Sequence, residues 1–559
     1  MVDRLLKLLG KEFGSLHQAA FLIAVSSLLA QILGLFRDRL LASTFGASGH
    51  LDIYYMAFKV PDLLYVAFAS CVSVTVLIPF IFKHQKDVDD KESVRAFLSD
   101  TLTVFMTVMV VVVVIIFALM PYIAEVIAPG FSSDATKELI LLSRILLLSP
   151  LILGLSNLFG SVTQSYKKFL AYTLSPALYN FGIIFGIIVL YPLMGLAGLV
   201  WGVILGAVAH LFIQIPSVYN IGVMPRLQKV VNWAEMKKVI LISLPRTVTL
   251  TTHHLSLLVL ISLGSLMAVG SITIFNLAFN LQSFTLIVIG VSYSVAAFPT
   301  LASLFSKGET SMFVSKIETA IRHIFFWTLP AVALFIILRA HIVRVVLGSG
   351  EFSWSDTRLT AAALALFVVS VIAQGLVQLF VRAYYATGKT KMPLVVNSLS
   401  SILIIMSAFF FIYIFNNLPG FKDFIEMLLR VENVPGTVVL MLPLAYSVGV
   451  TVNALVYWIF FENKFGNFKK ETYVAIWESV VTAIVIAVSS YMVLGLFSPV
   501  LRTENYLGIF THAVIAGGAG IVVGLLVLKL MGSLELQELT VSFKAKVWKK
   551  PIRSDAEEV

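Results

Sequence analysis

Residues 33–79 read LGLFRDRLLASTFGASGHLDIYYMAFKVPDLLYVAFASCVSVTVLIP and combine two strongly apolar runs with six charged side chains, five of which are predicted to lie at or near membrane depth. A charge in hydrocarbon costs about 2.5 to 3.5 kcal/mol on insertion scales, so such side chains usually face a bundle interior, a water-filled cavity or one another. This stretch therefore predicts a polar site inside a membrane protein. The five residues predicted at or near membrane depth are Arg37, Asp38, Arg39, Lys59 and Asp62.

The composition of the whole chain also indicates a membrane protein. Of its 559 residues, 59% are hydrophobic and 13% are charged, and the mean hydropathy is +0.96. Soluble proteins carry about 25% charged residues, so we expect an all-α, polytopic membrane protein. The net charge of +10 fits an excess of Lys and Arg on the cytoplasmic side and predicts no nucleic-acid partner.

Apolar runs long enough to cross a bilayer, about 20 residues each, predict about fourteen transmembrane helices. An even number places both termini on one side. Lys and Arg are most frequent in the N-terminus, the C-terminal tail and the loops that follow even-numbered spans, which predicts cytoplasmic termini. The predicted spans lie near 18–43, 52–82, 101–127, 139–164, 170–192, 195–218, 239–268, 271–305, 324–347, 359–383, 392–415, 437–461, 475–497 and 507–530.

An internal repeat relates the first six spans to the next six. Phe131-Ser132 recurs as Phe352-Ser353 and Gly154 recurs as Gly375, at one offset (352 − 131 = 375 − 154 = 221). Six spans is an even number, so the two copies have the same orientation. They are predicted to form two lobes related by an axis along the membrane normal, as in transporters whose site lies between the lobes.

The repeat and the loops together predict six segments. Spans 13 and 14 stand outside the repeat, and no loop is long enough for a soluble domain. The predicted segments are an interfacial amphipathic N-terminus at 1–17, an N-lobe at 18–218, a cytoplasmic linker at 219–238, a C-lobe at 239–461, two further helices at 462–530 and a basic cytoplasmic tail at 531–559.

Polar side chains form a stripe on the first span. Gln31, Gly34 and Asp38 follow one another at spacings of three and four, so they share one helical face that should look into the protein. Arg37 lies about 100° round the helix from Asp38, which predicts that the two contact different partners. On the second span Lys59 and Asp62 continue the polar site.

The seventh and eighth spans repeat this theme. Arg246 and His253 lie on one face of span 7, and Asn276 and Asn280 lie on span 8. A cationic cavity rich in hydrogen-bond donors suits an anionic headgroup, because Arg binds phosphate through two bonds and Lys binds it as a point charge. Two alternatives stay open: interhelical packing for the histidines and asparagines, and headgroup contacts at the outer interface for Arg37, Arg39 and Asp52.

Other motifs carry no chemistry. Thr387-Gly388-Lys389-Thr390 resembles the end of a phosphate-binding loop, but Ala383 stands where the first glycine is required. No metal-ligand or nucleophile-base spacing is present, and Cys71 is the single cysteine. We therefore predict no catalytic residue, metal or cofactor, and a transporter rather than an enzyme.

Several motifs resemble the MurJ (MviN) family of lipid II flippases. The resemblance implies the fold of the multidrug/oligosaccharidyl-lipid/polysaccharide (MOP) exporter superfamily. It implies an inner-membrane protein of peptidoglycan biosynthesis that moves undecaprenyl-pyrophosphate-linked precursor from the cytoplasmic to the outer leaflet by alternating access. In that family cavity cations hold the pyrophosphate and the last two spans form a groove for the lipid tail. The motifs are Gly34 to Asp38, Phe45 to Ala47, Asp52, Ala57 to Pro61, Arg382 to Ala386 and Thr390 to Pro393.

The chain departs from the family pattern at four positions. The family has Arg at the positions of Gln31 and Tyr65 and at or near Asn280, and an acid at Ser70. Arg37, Asp38, Asp52 and Lys59 match. Our hypothesis is that Arg246, with His253 or His254, supplies the missing positive charge from span 7.

These features predict a flippase for a lipid-linked saccharide, most simply lipid II, with membrane lipids and a coupling ion as further partners. Arg37 and Lys59 would hold the anion, and Asp38 and Asp62 would orient them or respond to the ion. Alternatives are an exporter of drugs or of another polyprenyl-linked oligosaccharide, and a non-transporting scaffold of cell-envelope synthesis.

Overall fold

The structure, a computed structural model, describes residues 16–69, 72–84, 91–498 and 505–547. All regular secondary structure in these ranges is helical, which confirms the predicted all-α class. Most of the predicted N-terminal helix at 1–17, Ser70, Cys71 and the tail beyond 547 lie outside the described residues.

The first half of the chain begins with a long helix and a strongly broken second span. One π-helical turn interrupts span 2 and another interrupts span 5, and we name them the first π-turn (Tyr65–Ala69) and the second π-turn (Gly186–Leu190). The helices are α1 Leu16–Phe45, α2 Gly49–Ala57, α3 Lys59–Leu64, α4 Val74–His84, α5 Lys91–Ile127, α6 Ser133–Leu146, α7 Leu148–Ser165, α8 Phe169–Phe185, α9 Tyr191–Met194, α10 Leu196–Phe212 and α11 Ile215–Ile221.

The second half has longer helices and a third π-turn (Leu286–Val291) within span 8. A short 3₁₀ turn, Thr437–Leu440, precedes the twelfth predicted span. The helices are α12 Trp233–Ser265, α13 Ser271–Thr285, α14 Ser292–Ser306, α15 Thr310–Ile337, α16 Arg339–Val346, α17 Trp354–Val369, α18 Val371–Ala386, α19 Lys391–Asn417, α20 Pro419–Leu429, α21 Met441–Phe465, α22 Lys470–Phe497, α23 Tyr506–Met531 and α24 Leu534–Val547.

Twelve helical segments within the described ranges are long and apolar enough to cross a membrane. They correspond one to one to predicted spans 3 to 14, from Lys91–Ile127 to Tyr506–Met531. The count of fourteen is not confirmed, because neither α1 nor the pieces α2 to α4 are among the twelve. These are the two predicted spans that carry the charged stretch.

The break in span 2 has a local cause. Pro61 has no N–H and cannot donate to the carbonyl of Ala57, where α2 ends. The helix resumes when the Asp62 amide donates to the Phe58 carbonyl (2.8 Å). Breaks at membrane depth are tolerated where protein or a cavity satisfies the freed backbone groups, so this one presents Lys59 and Asp62 from a separate short helix.

The chain forms two compact units. The first contains Met1–Leu277, Val346–Leu359 and Thr390–Ala445, and the second contains Ala278–Val345, Thr360–Lys389 and Tyr446–Val559. The core of the first unit is aliphatic around α4, α5 and α7. The second unit packs aromatic rings such as Phe380 and Tyr457, whose centroids are 6.2 Å apart. The lobe boundaries predicted from the repeat stay a prediction.

Glycines allow close helix packing between spans 5 and 6. A Cβ atom on Gly186 would lie 2.7 Å from the Cα of Gly202 on α10. Such approach is the usual role of small residues between membrane helices. These glycines therefore position α8, which carries a residue of the site described next.

Candidate functional site

The charged end of α1 forms a compact polar cluster. Arg37 donates from Nε and Nη2 to Oδ1 of Asp38 (2.9 and 2.7 Å) and from Nη1 to Oδ1 of Asn180 (3.0 Å). The prediction that Arg37 and Asp38 contact different partners is wrong. The long arginine side chain folds back across the 100° between the two residues, and its fork reaches both acceptors at once.

Asn180, on α8, fixes this cluster from the opposite side. Its Nδ2 donates to the carbonyls of Ala30 (3.3 Å) and Pro176 (3.1 Å). The amide thus joins α8 to α1 and orients its oxygen toward Arg37. Sequence reasoning missed Asn180, although an isolated amide in the apolar span 170–192 was a usable signal.

Asp52 has a different role from the other charged residues of spans 1 and 2. Its Oδ2 accepts from the Gly270 amide (2.7 Å), and its Oδ1 accepts from the Thr273 amide (2.8 Å) and hydroxyl (2.7 Å). Because α13 begins at Ser271, the carboxylate satisfies donors at the positive end of that helix. Asp52 is only 4% exposed, which contradicts the alternative that it contacts lipid headgroups.

The Asp52 contact joins equivalent positions of the two repeat copies. Thr273 lies 221 residues after Asp52, and Gly270 lies 221 residues after Gly49 (273 − 52 = 270 − 49 = 221). Gly270 has φ +90°, and a Cβ there would overlap the carbonyl of Ala47. The starts of spans 2 and 8 therefore pack against each other at residues that the sequence offset of 221 relates.

Lys59 connects the second span to α13. Its Nζ donates to Oδ1 of Asn276 (3.1 Å), whose Nδ2 donates to the Ile272 carbonyl (2.7 Å). Asp62 and His254 lie within electrostatic range of Lys59. The hydrogen-bond partner of Lys59 is neutral, so its positive charge is not consumed by an ion pair as that of Arg37 is.

Asp62 and its aromatic neighbours complete the cluster. The Asp62 side chain is exposed, and its charge acts on Tyr54, Tyr65 and Tyr179. The Tyr65 hydroxyl accepts from Nδ2 of Asn157 (2.8 Å). At this position, where the sequence resemblance implied an arginine, the chain has a phenol hydrogen-bonded by an amide.

Four other predicted site residues lie on α1, α12 and α13. Gln31 is half-buried on α1, nearly two helical turns before Arg37. His253 lies on α12, with its ring 6.1 Å from that of His254. Asn280 lies on α13 one turn after Asn276. Arg246 is within α12, but its side chain is outside the described residues, so its proposed compensation stays a hypothesis.

Comparison with known proteins identifies relatives of this chain in one transporter family. The family model described as "Lipid II flippase MurJ" matches residues 41–419. A probable lipid II flippase MurJ of Buchnera aphidicola subsp. Schizaphis graminum is 27% identical over 508 residues, covering 87% of this chain and 93% of that protein. The lipid II flippase MurJ of Burkholderia cenocepacia is 23% identical over 389 residues, covering 68% and 75%.

Solved structures show the same fold. The structure titled "Lipid II flippase MurJ, inward closed conformation" superposes with a TM-score of 0.71 at 19% identity and covers 93% of this chain and 100% of that one. An inward-facing MATE transporter of the MOP superfamily gives 0.62 at 14% identity, covering 78% and 94%. Since the family model covers more than half of the sequence, this chain belongs to the lipid II flippase MurJ family of membrane transporters.

Proposed function

We propose that this lipid II flippase moves its substrate from the cytoplasmic to the outer leaflet by alternating access, and that Lys59 and Arg37 hold the pyrophosphate. The family assigns the chain to the inner membrane as a multi-pass transporter. The observation that carries the proposal is that Arg37, on α1, and Asp62, next to Lys59 on span 2, both lie within electrostatic range of Tyr54 and Tyr179. A membrane protein retains such charges where a polar substrate must pass.

Lys59 is the stronger candidate for first contact with the anion. An ammonium has three donors, and one of them is used on Asn276. Arg37 has five donors, and its three hydrogen bonds to Asp38 and Asn180 leave others for a phosphate oxygen. Phosphate would therefore add to the Arg37 cluster or displace Asp38 from it.

In this scheme the Asp52 hydrogen bonds hold the transporter closed on its outer side. With cytoplasmic termini, the starts of spans 2 and 8 would lie at the outer end, where the Asp52 carboxylate joins them. Opening toward the outer leaflet would require these hydrogen bonds to break. Bonds to a charged group contribute about 1.5 to 3 kcal/mol each, a range that substrate binding and a coupling ion could offset.

Asp62 is the candidate for a response to a coupling ion. Its side chain is exposed and it lies near Lys59, so binding of a cation or proton there would strengthen the local positive field. The pyrophosphate would then bind more tightly. Measurement of transport under imposed ion gradients tests this coupling. Transport should increase with the gradient of the ion that binds Asp62.

One observation keeps a second substrate in view. Gln31 and Tyr65 are uncharged at positions where the family resemblance implies arginines, so the proposed anion site has less positive charge than the resemblance implies. A polyprenyl-linked saccharide with a less highly charged headgroup would suit such a cavity. A drug exporter is supported only by the fold of the MATE transporters.

The test is transport of fluorescent lipid II in vesicles that contain the purified protein. We expect translocation by the native chain and its loss in Lys59→Ala. Lys137→Ala is the matched control, because Lys137 is exposed and pairs only locally with Asp134 (2.9 Å). Transport of another lipid-linked saccharide but not of lipid II would favour the second substrate. Cell growth supported equally by cavity mutants would favour the scaffold.

A further inference from the structure

The first and third π-turns occupy equivalent positions in the two repeat copies. Tyr65 begins the first and Leu286 begins the third, at the offset already found in the sequence (286 − 65 = 221). The second π-turn provides an internal comparison. Its equivalent range, 407–411, is regular helix within α19, so a π-turn in one copy does not automatically recur in the other.

Each of these two π-turns follows directly on the polar part of its span. The first begins three residues after Asp62, and the third follows Asn276 and Asn280 on α13. A π-turn carries a different hydrogen-bond pattern from the helix around it and is a recognised cause of kinks and functional bends. Both spans can therefore bend between their polar segment and the helix that continues them.

Equivalent helices brace the two turns. In the first unit, α7 of span 4 braces the first π-turn through the bond from Asn157 to the Tyr65 hydroxyl (2.8 Å). In the second unit, α18 of span 10 braces the third π-turn. There Arg382 donates from Nη1 to the Val291 carbonyl (3.3 Å) and to the Ser294 hydroxyl (2.9 Å).

The second brace is tighter than the first. A Cβ atom on Gly290 would lie 2.9 Å from the Cα of Gly375, so the backbones of the third π-turn and α18 are nearly in contact. Arg382 adds a charged donor to a backbone carbonyl at the end of the turn, where a π-turn disturbs the regular pairing. In the first copy the brace instead contacts a side-chain hydroxyl.

We infer that the first and third π-turns are paired bending points of spans 2 and 8, and that Arg382 is the positioning residue that holds the third turn in shape. The asymmetry of the braces makes the first turn the one that bends more readily, beside Lys59 and Asp62. Span 8 is then expected to bend less at the third π-turn than span 2 bends at the first. The inference rests on the proposed transport function but concerns helix geometry, which is measurable without substrate.

The experiment measures the bend of each span directly. In a Cys71→Ser background, spin labels at positions 50 and 82 flank the first π-turn, and labels at 269 and 303 flank the third. Distances between the paired spin labels are measured by double electron–electron resonance for Arg382→Met, Arg382→Lys and Asn157→Ala. Gly290→Ala is compared with Gly518→Ala, because a Cβ on Gly518 meets nothing within 4 Å.

We expect Arg382→Met and Gly290→Ala to shift or broaden only the 269–303 distances, and Asn157→Ala to broaden only the 50–82 distances. Lipid transport should fall about tenfold in Arg382→Met, as expected for loss of a charged hydrogen bond, and Arg382→Lys should restore part of both readouts. If Arg382→Met fails to fold, Ser294→Ala carries the test through a smaller broadening.

Distances in Arg382→Met and Gly290→Ala that match those of Gly518→Ala would overturn the inference, whether or not transport falls. Failure of lipid II transport in the native chain, with the distance changes intact, would instead count against the proposed substrate and leave the bending points standing.

Discussion

Two carboxylates of span 2 differ in what surrounds them. Asp52 is buried and accepts three hydrogen bonds at the start of α13. Asp62, three helical turns later, has an exposed side chain near Lys59. A carboxylate saturated by backbone donors stabilises one conformation, whereas an exposed carboxylate beside a cation can respond to an ion or a substrate. Within one span, Asp52 is therefore assigned to closure and Asp62 to the binding of substrate or ion.

The largest effect is expected from Arg37→Ala, which tests the binding side of this comparison. It removes a candidate phosphate ligand and the two hydrogen bonds that Arg37 donates to Asp38. A hydrogen bond to a charged group contributes about 1.5 to 3 kcal/mol, so loss of two such bonds to the pyrophosphate should lower transport at least about 100-fold by the conversion of 1.4 kcal/mol per factor of ten. Normal translocation of lipid II in reconstituted vesicles would remove Arg37 from the mechanism.

Lys59→Ala should weaken transport by about 10- to 100-fold without a matching loss of thermal stability. Its hydrogen-bond partner is the neutral Asn276, so the substitution leaves no unpaired charge there. Lys59→Arg should retain part of the activity, because it keeps the charge but changes the donor geometry. An equal loss of stability and transport would indicate that Lys59 is structural, as Asp52 is.

Asp52→Asn tests the closure side. Asparagine keeps one acceptor for α13, but its amide nitrogen would face an N–H donor and the negative charge at the helix start is lost, which should lower stability by about 2 to 3 kcal/mol. We expect greater labelling of cysteines introduced at the outer end and little change in substrate affinity. Thr273→Val, which removes one of the three donors, should give a smaller change in the same direction. Unchanged labelling in both variants would argue against a closure role.

The smallest effect is expected from Tyr65→Phe. It removes the hydroxyl that accepts from Asn157, and hydrogen bonds between membrane helices contribute about 0.6 kcal/mol on average. Transport should therefore change less than about threefold. Tyr65→Arg is the more informative variant, because it introduces the positive charge that the family resemblance implies at this position. We expect it to raise the affinity for pyrophosphate, and a lowered affinity would show that the tyrosine suits this chain's own substrate.

Much of the site followed from residue types alone. Charges in apolar segments are expensive wherever they lie, so Arg37, Lys59 and Asp62 could be selected without coordinates. The role of Asp52 could not, because its partners Gly270 and Thr273 are more than 200 positions away in the chain. The pairing of Arg37 with Asp38 was predicted wrongly, since helical spacing places Cβ atoms but not the end of a flexible arginine.

The sequence by itself determined that this is a polytopic helical membrane protein, and its motifs pointed to the lipid II flippase family. Those properties depend on local apolarity, which governs where helices cross a bilayer. Only the tertiary structure decided which hydrogen-bond partners each charged side chain has. It brought Asn180 to Arg37, the start of α13 to Asp52 and Asn276 to Lys59. Hydrogen bonds between distant helices depend on packing, which no local pattern specifies.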